Sequence, residues 1–296
     1  MRTVYLGTSD FAAAVLERLA ASPHRPALVV TRPDRPAGRG RRMQAPPVAS
    51  AARALALDVF QPDDVNEEGA RARIAAVAPD VVVVCAFGAL LKEPLLSQHE
   101  LLNVHPSLLP RWRGAAPIER ALMAGDEETG VAIMRVTAGL DSGPVCLLER
   151  EPILSEDTFG TLSARLAALG GALLVRALDE RPGFEEQDES AVTYAEKVTA
   201  EDRILDPARP AIELERVVRA LTPHIGARLG LPDGLYLGVW GAQRAAPVER
   251  EPGTLGNEGG RLLLSCANGT ALELLTVQPA GKRPMPAADY LRGHSL

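Results

Sequence analysis

Asn103 and His105, two places apart, carry groups that can do chemistry together. An asparagine amide donates and accepts hydrogen bonds without titrating, and an imidazole moves a proton near neutral pH. If 101–105 runs as a strand, its side chains alternate faces and these two share one. The strand end would deliver them into the proline-rich turn that begins at Pro106. Read alone, the pair also fits a turn-capping asparagine beside an ordinary strand-end histidine. The chemical reading gains weight from a third residue. Asp141 stands in Gly139-Leu140-Asp141-Ser142-Gly143-Pro144-Val145. That composition makes a tight turn able to approach another backbone closely.

The surrounding elements must position these groups. Arg2 to Leu6 reads as a first strand, and Phe11 to Ala21 as a helix with Asp10 as its N-cap. Ala27 to Thr31 reads as a second strand. Arg32 to Pro47, with four prolines and two glycines, reads as an unusually long loop. Helices over 48–56 and 67–77 flank a short strand at 59–61. The all-apolar run Val81 to Ala86 predicts a strand buried on both faces, as in a parallel sheet. Strands alternating with helices predict an α/β doubly wound domain. Beyond the Asn103–Pro117 unit come a helix over 117–124, with Pro117 at its first position, and closing strands over 131–136 and 145–151. The Asp141 turn joins these strands. The apolar spacing in 158–178 predicts a helix covering the sheet.

The segment 181–206 is polar and acidic and reads as a linker. An amphipathic helix follows over 212–221. The pattern then changes to short strands near 235–240 and 262–277. Asn268-Gly269 between two apolar runs signals a hairpin, and the set suggests a small β-barrel.

Composition narrows the function classes. Hydrophobic residues make up 46% of the 296, ample for a folded core. The cysteines, Cys85, Cys146 and Cys266, are widely spaced with no CxxC pair, so neither a zinc knuckle nor a disulfide framework is suggested. Cys85 reads as a buried small hydrophobe. No leader pattern or long apolar span is evident, and a soluble cytoplasmic protein is expected. The net charge of −6 argues against a general nucleic-acid binder. Charge distribution matters more than the sum, however, and 32–42 holds five arginines against one aspartate. The dinucleotide fingerprint is missing, because Leu6-Gly7-Thr8-Ser9-Asp10-Phe11 has a single glycine. No P-loop and no Gly-x-Ser-x-Gly nucleophile elbow occurs.

Asn103-Val104-His105-Pro106-Ser107-Leu108-Leu109-Pro110, taken with Asp141-Ser142-Gly143-Pro144, resembles the folate-dependent formyltransferases. The arginine segment 32–42 and Leu108-Leu109-Pro110-Arg111-Trp112-Arg113-Gly114-Ala115-Ala116-Pro117-Ile118 resemble those members of the family that formylate methionyl-tRNA. The resemblance runs from Val4 to Lys282, nearly the whole chain.

It implies a Rossmann-like, mostly parallel sheet over 1–184, a linker over 185–206 and an OB-like β-barrel that binds tRNA over 207–296. It also implies formyl transfer from 10-formyltetrahydrofolate, a cosubstrate, to the α-amine of methionyl-initiator-tRNA; no metal is needed, and a monomer is expected. Under it Asn103 donates to a tetrahedral oxyanion, and His105 gives a proton to the oxyanion or the departing folate nitrogen. Asp141 either orients His105 through a hydrogen bond, favouring its charged form, or accepts the amine's proton. Ser107, Leu108, Leu109 and Pro110 contact the folate, with Phe87 and Gly88 along the same pocket. The resemblance makes Arg35, Arg39, Arg41 and Arg42 the residues expected to grip the acceptor stem, and Lys282 and Arg283, after the Gly281 turn, are expected near phosphate. Other members act on glycinamide ribonucleotide or nucleotide-linked amino sugars, but the arginine loop and the C-terminal β domain favour tRNA. A non-catalytic RNA-binding module would leave Asn103, His105 and Asp141 without a shared purpose.

Overall fold

The computed structural model describes residues 1–37 and 42–294. In chain order the elements are β1 (Thr3–Gly7), α1 (Asp10–Ala20), β2 (Pro26–Val30), β3 (Arg35–Ala37), β4 (Arg42–Gln44), α2 (Pro47–Ala54), β5 (Val59–Phe60), α3 (Glu68–Ala76), β6 (Val81–Cys85), α4 (Leu95–Gln98), β7 (Leu101–His105), β8 (Arg113–Gly114), α5 (Pro117–Ala124), β9 (Glu128–Arg135), β10 (Val145–Pro152), α6 (Phe159–Glu180) and β11 (Tyr194–Ala195). Then follow α7 (Ala211–Leu221), β12 (Ala227–Gly230), β13 (Tyr236–Ala245), β14 (Leu255–Glu258), β15 (Arg261–Ser265), β16 (Ala271–Gln278), β17 (Met285–Pro286) and α8 (Ala287–Gly293).

The chain divides into two compact units. The first holds Met1–Gly114, Glu128–Pro152 and Ser163–Tyr194; the second holds Ala115–Glu127, Ile153–Leu162 and the chain from Ala195 onward. Helix α5 therefore groups with the second unit, although the strands on either side of it in sequence belong to the first.

The first unit is a Rossmann-like sheet in the order β10-β9-β7-β6-β1-β2-β5. β1 pairs in parallel with β2 and with β6, and β6 in parallel with β7. β9 runs antiparallel to β7, and β10 antiparallel to β9. The order reverses at β1, since the chain moves to β2 on one side and later returns to β6 on the other. α/β sheets place ligands at the carboxyl ends of strands near such a reversal. β1 and β6 are buried along their full lengths, and the unalternating valine run of β6 fits a strand covered on both faces.

Two local expectations are corrected. The N-cap of α1 is Ser9, not Asp10: Ser9 is extended and its hydroxyl accepts from the Ala12 N–H at 3.3 Å. Asp10 sits in the first turn, where its charge meets the positive helix end. The expected long loop 32–47 contains an antiparallel hairpin, β3 with β4, in the register Arg35↔Gln44 and Ala37↔Arg42.

α6 covers the sheet, packing small residues closely. A Cβ on Gly170 would come within 2.9 Å of Val104 Cγ1, and one on Gly171 within 2.8 Å of Arg18 Cβ. This helix is long and apolar enough to cross a membrane by length and composition, but half of the qualifying stretch is buried in the protein. Because Val104 faces α6, Asn103 and His105 point to the opposite face of the sheet.

The second unit carries an antiparallel sheet in the order β12-β13-β16-β15-β14, with β17 on β16. Its core packs Leu214, Val217, Val218 and Leu221 of α7 against Leu237, Val239, Leu262, Leu272 and Val277. Register shifts at Gly241 bend the long strand β13, as bulges do in curved sheets. The expected Asn-Gly hairpin is present between β15 and β16. Asn268 (φ 58°) and Gly269 (φ 67°) are both left-handed, which such a two-residue turn requires.

Candidate active site

The end of β7 buries His105, at 4% exposure, while Asn103 stays half-exposed on the same face. The Asn103 side chain makes no hydrogen bond among the described residues, so its amide is available to a ligand. His105 Nε2 lies 2.9 Å from the Trp112 carbonyl oxygen, to which it donates. In the neutral ring this bond leaves the lone pair on Nδ1, 3.7 Å from Asp141 Oδ2. The expected hydrogen bond between His105 and Asp141 is therefore replaced by a longer, charge-range approach. Asp141 Oδ2 instead accepts the Gly114 N–H at 2.9 Å.

The turn that carries Asp141 is constrained. Asp141 has φ 45°, a left-handed conformation unusual for a residue with a side chain. Its side chain is 18% exposed, whereas its neighbour Leu140 is 61% exposed. The partner loop is tied down as well. Trp112 N–H donates to Thr193 Oγ1 at 2.9 Å, and Arg113 N–H to the Thr193 carbonyl at 2.9 Å. Ser107 is fully buried, and its hydroxyl donates to the Arg111 carbonyl at 2.6 Å, closing the turn after β7.

The four residues expected along a folate do not act alike. Ser107 is spent on its own turn. Leu108 lies against β9, where a Cβ on Gly130 would approach its Cδ2 to 2.5 Å. Leu109 packs on Ala132 and Met134. Leu109 and Pro110 also line a cavity of about 330 Å³ with Val145, Leu147, Leu148 and Gln187. Phe87 and Gly88 line a different cavity, of about 390 Å³, with Thr8, Arg32 and Arg35. These two cavities are thus lined separately by Leu109 and Pro110 and by Phe87 and Gly88, although the loops that carry them follow parallel neighbouring strands, β7 and β6. Thr8 hydroxyl donates to the Phe87 carbonyl at 2.7 Å, and the Arg32 guanidinium donates to the Gly88 carbonyl.

Of the arginines expected to meet tRNA, Arg35 and Arg42 lie exposed on β3 and β4. Arg39 and Arg41 lie outside the described residues. Gln61 holds the base of the hairpin, donating to the Arg32 carbonyl at 2.9 Å and to Asp34 Oδ1 at 2.7 Å. Lys282 and Arg283 are exposed on the turn after β16, where Gly281 has φ 74°.

Sequence reasoning missed Arg113 and Gln187. Arg113 is 2% exposed, and its guanidinium bonds Gln187 Oε1 at 3.0 Å and Glu189 Oε1 at 2.7 Å. That guanidinium holds the Glu189 carboxyl below the usual carboxylate range. A signal was available: Gln187 is the one uncharged residue in Glu185-Glu186-Gln187-Asp188-Glu189. Cys85 is buried as expected, and burial pushes its thiol up to about 12, which keeps it unreactive.

Residues 1–178 match the family described as formyl transferase, and residues 197–295 its C-terminal domain. A methionyl-tRNA formyltransferase from Halorhodospira halophila is 45% identical, the match covering 100% of this chain and 97% of the relative. One from Methylococcus capsulatus is 44% identical over 100% of this chain and 98% of the relative. Among solved structures, HypX from Aquifex aeolicus in complex with tetrahydrofolic acid superposes with a TM-score of 0.67 at 15% identity, covering 98% of this chain and 47% of that one, a likeness of fold alone. With both family domains matched in order and relatives aligned end to end, the chain belongs to the formyl transferase family, among its methionyl-tRNA formyltransferases.

Proposed function

We propose that the chain moves the formyl group of 10-formyltetrahydrofolate to the α-amine of methionyl-initiator-tRNA, with Asn103, His105 and Asp141 as its catalytic residues. The observation that carries this assignment is the strand end that sets a half-exposed Asn103 beside a buried His105, whose Nδ1 lies 3.7 Å from Asp141. The α-amine has an ordinary pKa near 8, so part of it is neutral and nucleophilic at physiological pH. A bond forms from the amine nitrogen to the formyl carbon, and the bond from that carbon to the folate nitrogen breaks. The folate nitrogen leaves with one proton and the amine gives one up. The oxyanion that develops between these steps needs a preset donor, and the Asn103 amide supplies one, typically worth about 3 kcal/mol. A ring carrying a proton on Nδ1 can deliver it while Asp141 accepts the amine's, and return of that proton from Asp141 to Nδ1 across the 3.7 Å approach restores the pair.

Leu108, Leu109 and Pro110 offer an apolar wall suited to a flat heterocycle. Arg35, Arg39, Arg41 and Arg42 suit the acceptor stem, since planar forks hold phosphate or stack on bases. Residues 1–184 would be the catalytic domain, 185–206 the linker and 207–296 the tRNA-binding domain, with Lys282 and Arg283 near phosphate. The protein acts as a cytoplasmic monomer away from membranes. The test is formylation of methionyl initiator tRNA, methionyl elongator tRNA and a nucleotide-linked amino sugar, each with 10-formyltetrahydrofolate. Turnover confined to the sugar, or absent with all three, would reject the assignment.

A further inference from the structure

The catalytic reading leaves a buried charge unexplained. Arg113 is 2% exposed, yet it lies in none of the roles given above. Its guanidinium spans two partners: Nε donates to Gln187 Oε1 at 3.0 Å, while Nη2 and Nη1 grip Glu189 at 2.7 and 3.3 Å. The amide of Gln187 is thereby turned so that its nitrogen faces the Asp141 turn. There it donates both protons, to the Asp141 carbonyl at 2.9 Å and to the Gly143 carbonyl at 2.7 Å. The segment carrying Gln187 is itself anchored, because Glu185 and Val145 exchange backbone hydrogen bonds at 2.8 and 2.9 Å.

We infer that Gln187, held by Arg113, is a positioning residue that fixes the Asp141 carboxylate opposite His105. Asp141 occupies a left-handed backbone conformation, φ 45°, which a free turn would leave. Two hydrogen bonds from one amide, on either side of Ser142, are a device for keeping it there. Glycine at 143 is part of the same device, since a Cβ at that position would fall 2.0 Å from the Arg135 carbonyl oxygen. Arg113 is needed because an amide side chain is symmetric in shape; the guanidinium decides which end faces the turn. The inference rests on Asp141 being a catalytic residue.

The test is a double-mutant cycle in the full chain. Gln187→Met keeps the volume and removes both donors. We expect it to lower kcat about tenfold or more, with KM for both substrates within about twofold and an unchanged circular dichroism spectrum. In an Asp141→Ala background the same change should have no further effect. Arg113→Lys keeps the charge but loses the Nε donor, and should behave like Gln187→Met. An equal loss from Gln187→Met in both backgrounds, or none in the wild type, overturns the inference. Wild-type turnover from Asp141→Ala alone would instead reject the catalytic reading of Asp141. A second readout does not depend on residual activity. In 15N spectra the His105 Nδ1 resonance should move in Gln187→Met while those of the other histidines stay put. An unmoved His105 resonance also overturns it.

Discussion

Asn103 and His105 sit on one strand face but differ in what they contribute to folding. Asn103 is half-exposed and unbonded among the described residues, so Asn103→Ala removes a donor without leaving a buried group unsatisfied. Turnover should fall by about a hundredfold with the melting temperature unchanged, because one oxyanion donor is typically worth about 3 kcal/mol. His105 is buried and bonded to Trp112, so His105→Ala should cost stability as well as activity. His105→Gln keeps a donor for the Trp112 carbonyl. It should restore the melting temperature but leave kcat depressed by about a hundredfold, the usual range for lost proton transfer. Single-turnover formylation with parallel melts separates the two losses. Wild-type turnover from His105→Gln would mean that no proton passes through this ring.

At the level of elements, the arginine hairpin and the β9–β10 pair make separate predictions. β4 presents Arg42 to solvent, and the base of the hairpin is pinned by Gln61. Arg42→Ala should raise KM for tRNA and leave KM for folate alone. The slope of log affinity on log salt should flatten by about 0.7 to 0.9, the change expected when one phosphate is no longer neutralised. An unchanged salt slope would place Arg42 off the tRNA path. On β9, Gly130 lies so near β10 that a Cβ would stand 2.1 Å from the Glu149 carbonyl oxygen and 2.5 Å from Leu108 Cδ2. The nearer obstacle is backbone, which cannot swing aside. Gly130→Ala should therefore destabilise the chain by about 1–3 kcal/mol, the common cost of overpacking. It should also disturb folate affinity through Leu108. A melt matching the wild type would show that the strands separate more easily than this packing allows.

For the molecule as a whole, net charge is −6, and one ion pair gives a pH response that can be isolated. The Arg120 guanidinium bonds Asp202 at 2.8 and 2.9 Å and, with the Thr199 amide and hydroxyl, holds its carboxyl down to about 2. A carboxyl lowered in the folded state adds stability above its unfolded pKa and loses it as pH falls through the folded value. Here that window runs from the ordinary aspartate value of 3.8 down to about 2. At neutral pH the contribution is on the order of 1–2 kcal/mol once solvent screening of the pair is allowed for. Asp202→Asn should therefore be less stable than the wild type in urea at pH 7 and pH 5. The gap should narrow at pH 3. A gap that stays constant across this range would assign the loss to packing and hydrogen bonding instead.

The sequence alone determined whatever depends on short range. A valine run made β6, alternation placed Asn103 and His105 on one face, and Asn268-Gly269 dictated its own turn because few residues accept two left-handed angles. The motif around 103–110 together with Asp141 made the family legible, since group-transfer chemistry limits which side chains can serve. What only the tertiary structure decided came from contacts distant in sequence or from local geometry that residue types leave open. Ser9 displaced Asp10 as the α1 cap through its geometry toward Ala12. β3 and β4 paired across a stretch whose prolines suggested only loop. Leu109 and Phe87 line two separate cavities, although the strands before them, β7 and β6, are parallel neighbours. The bond from Arg113 to Gln187 joins positions 74 residues apart, and no local pattern announces a partner at that distance. A pairing of this kind is selected by how the sheet and its loops fold over one another, and that packing is the step a one-dimensional reading leaves open.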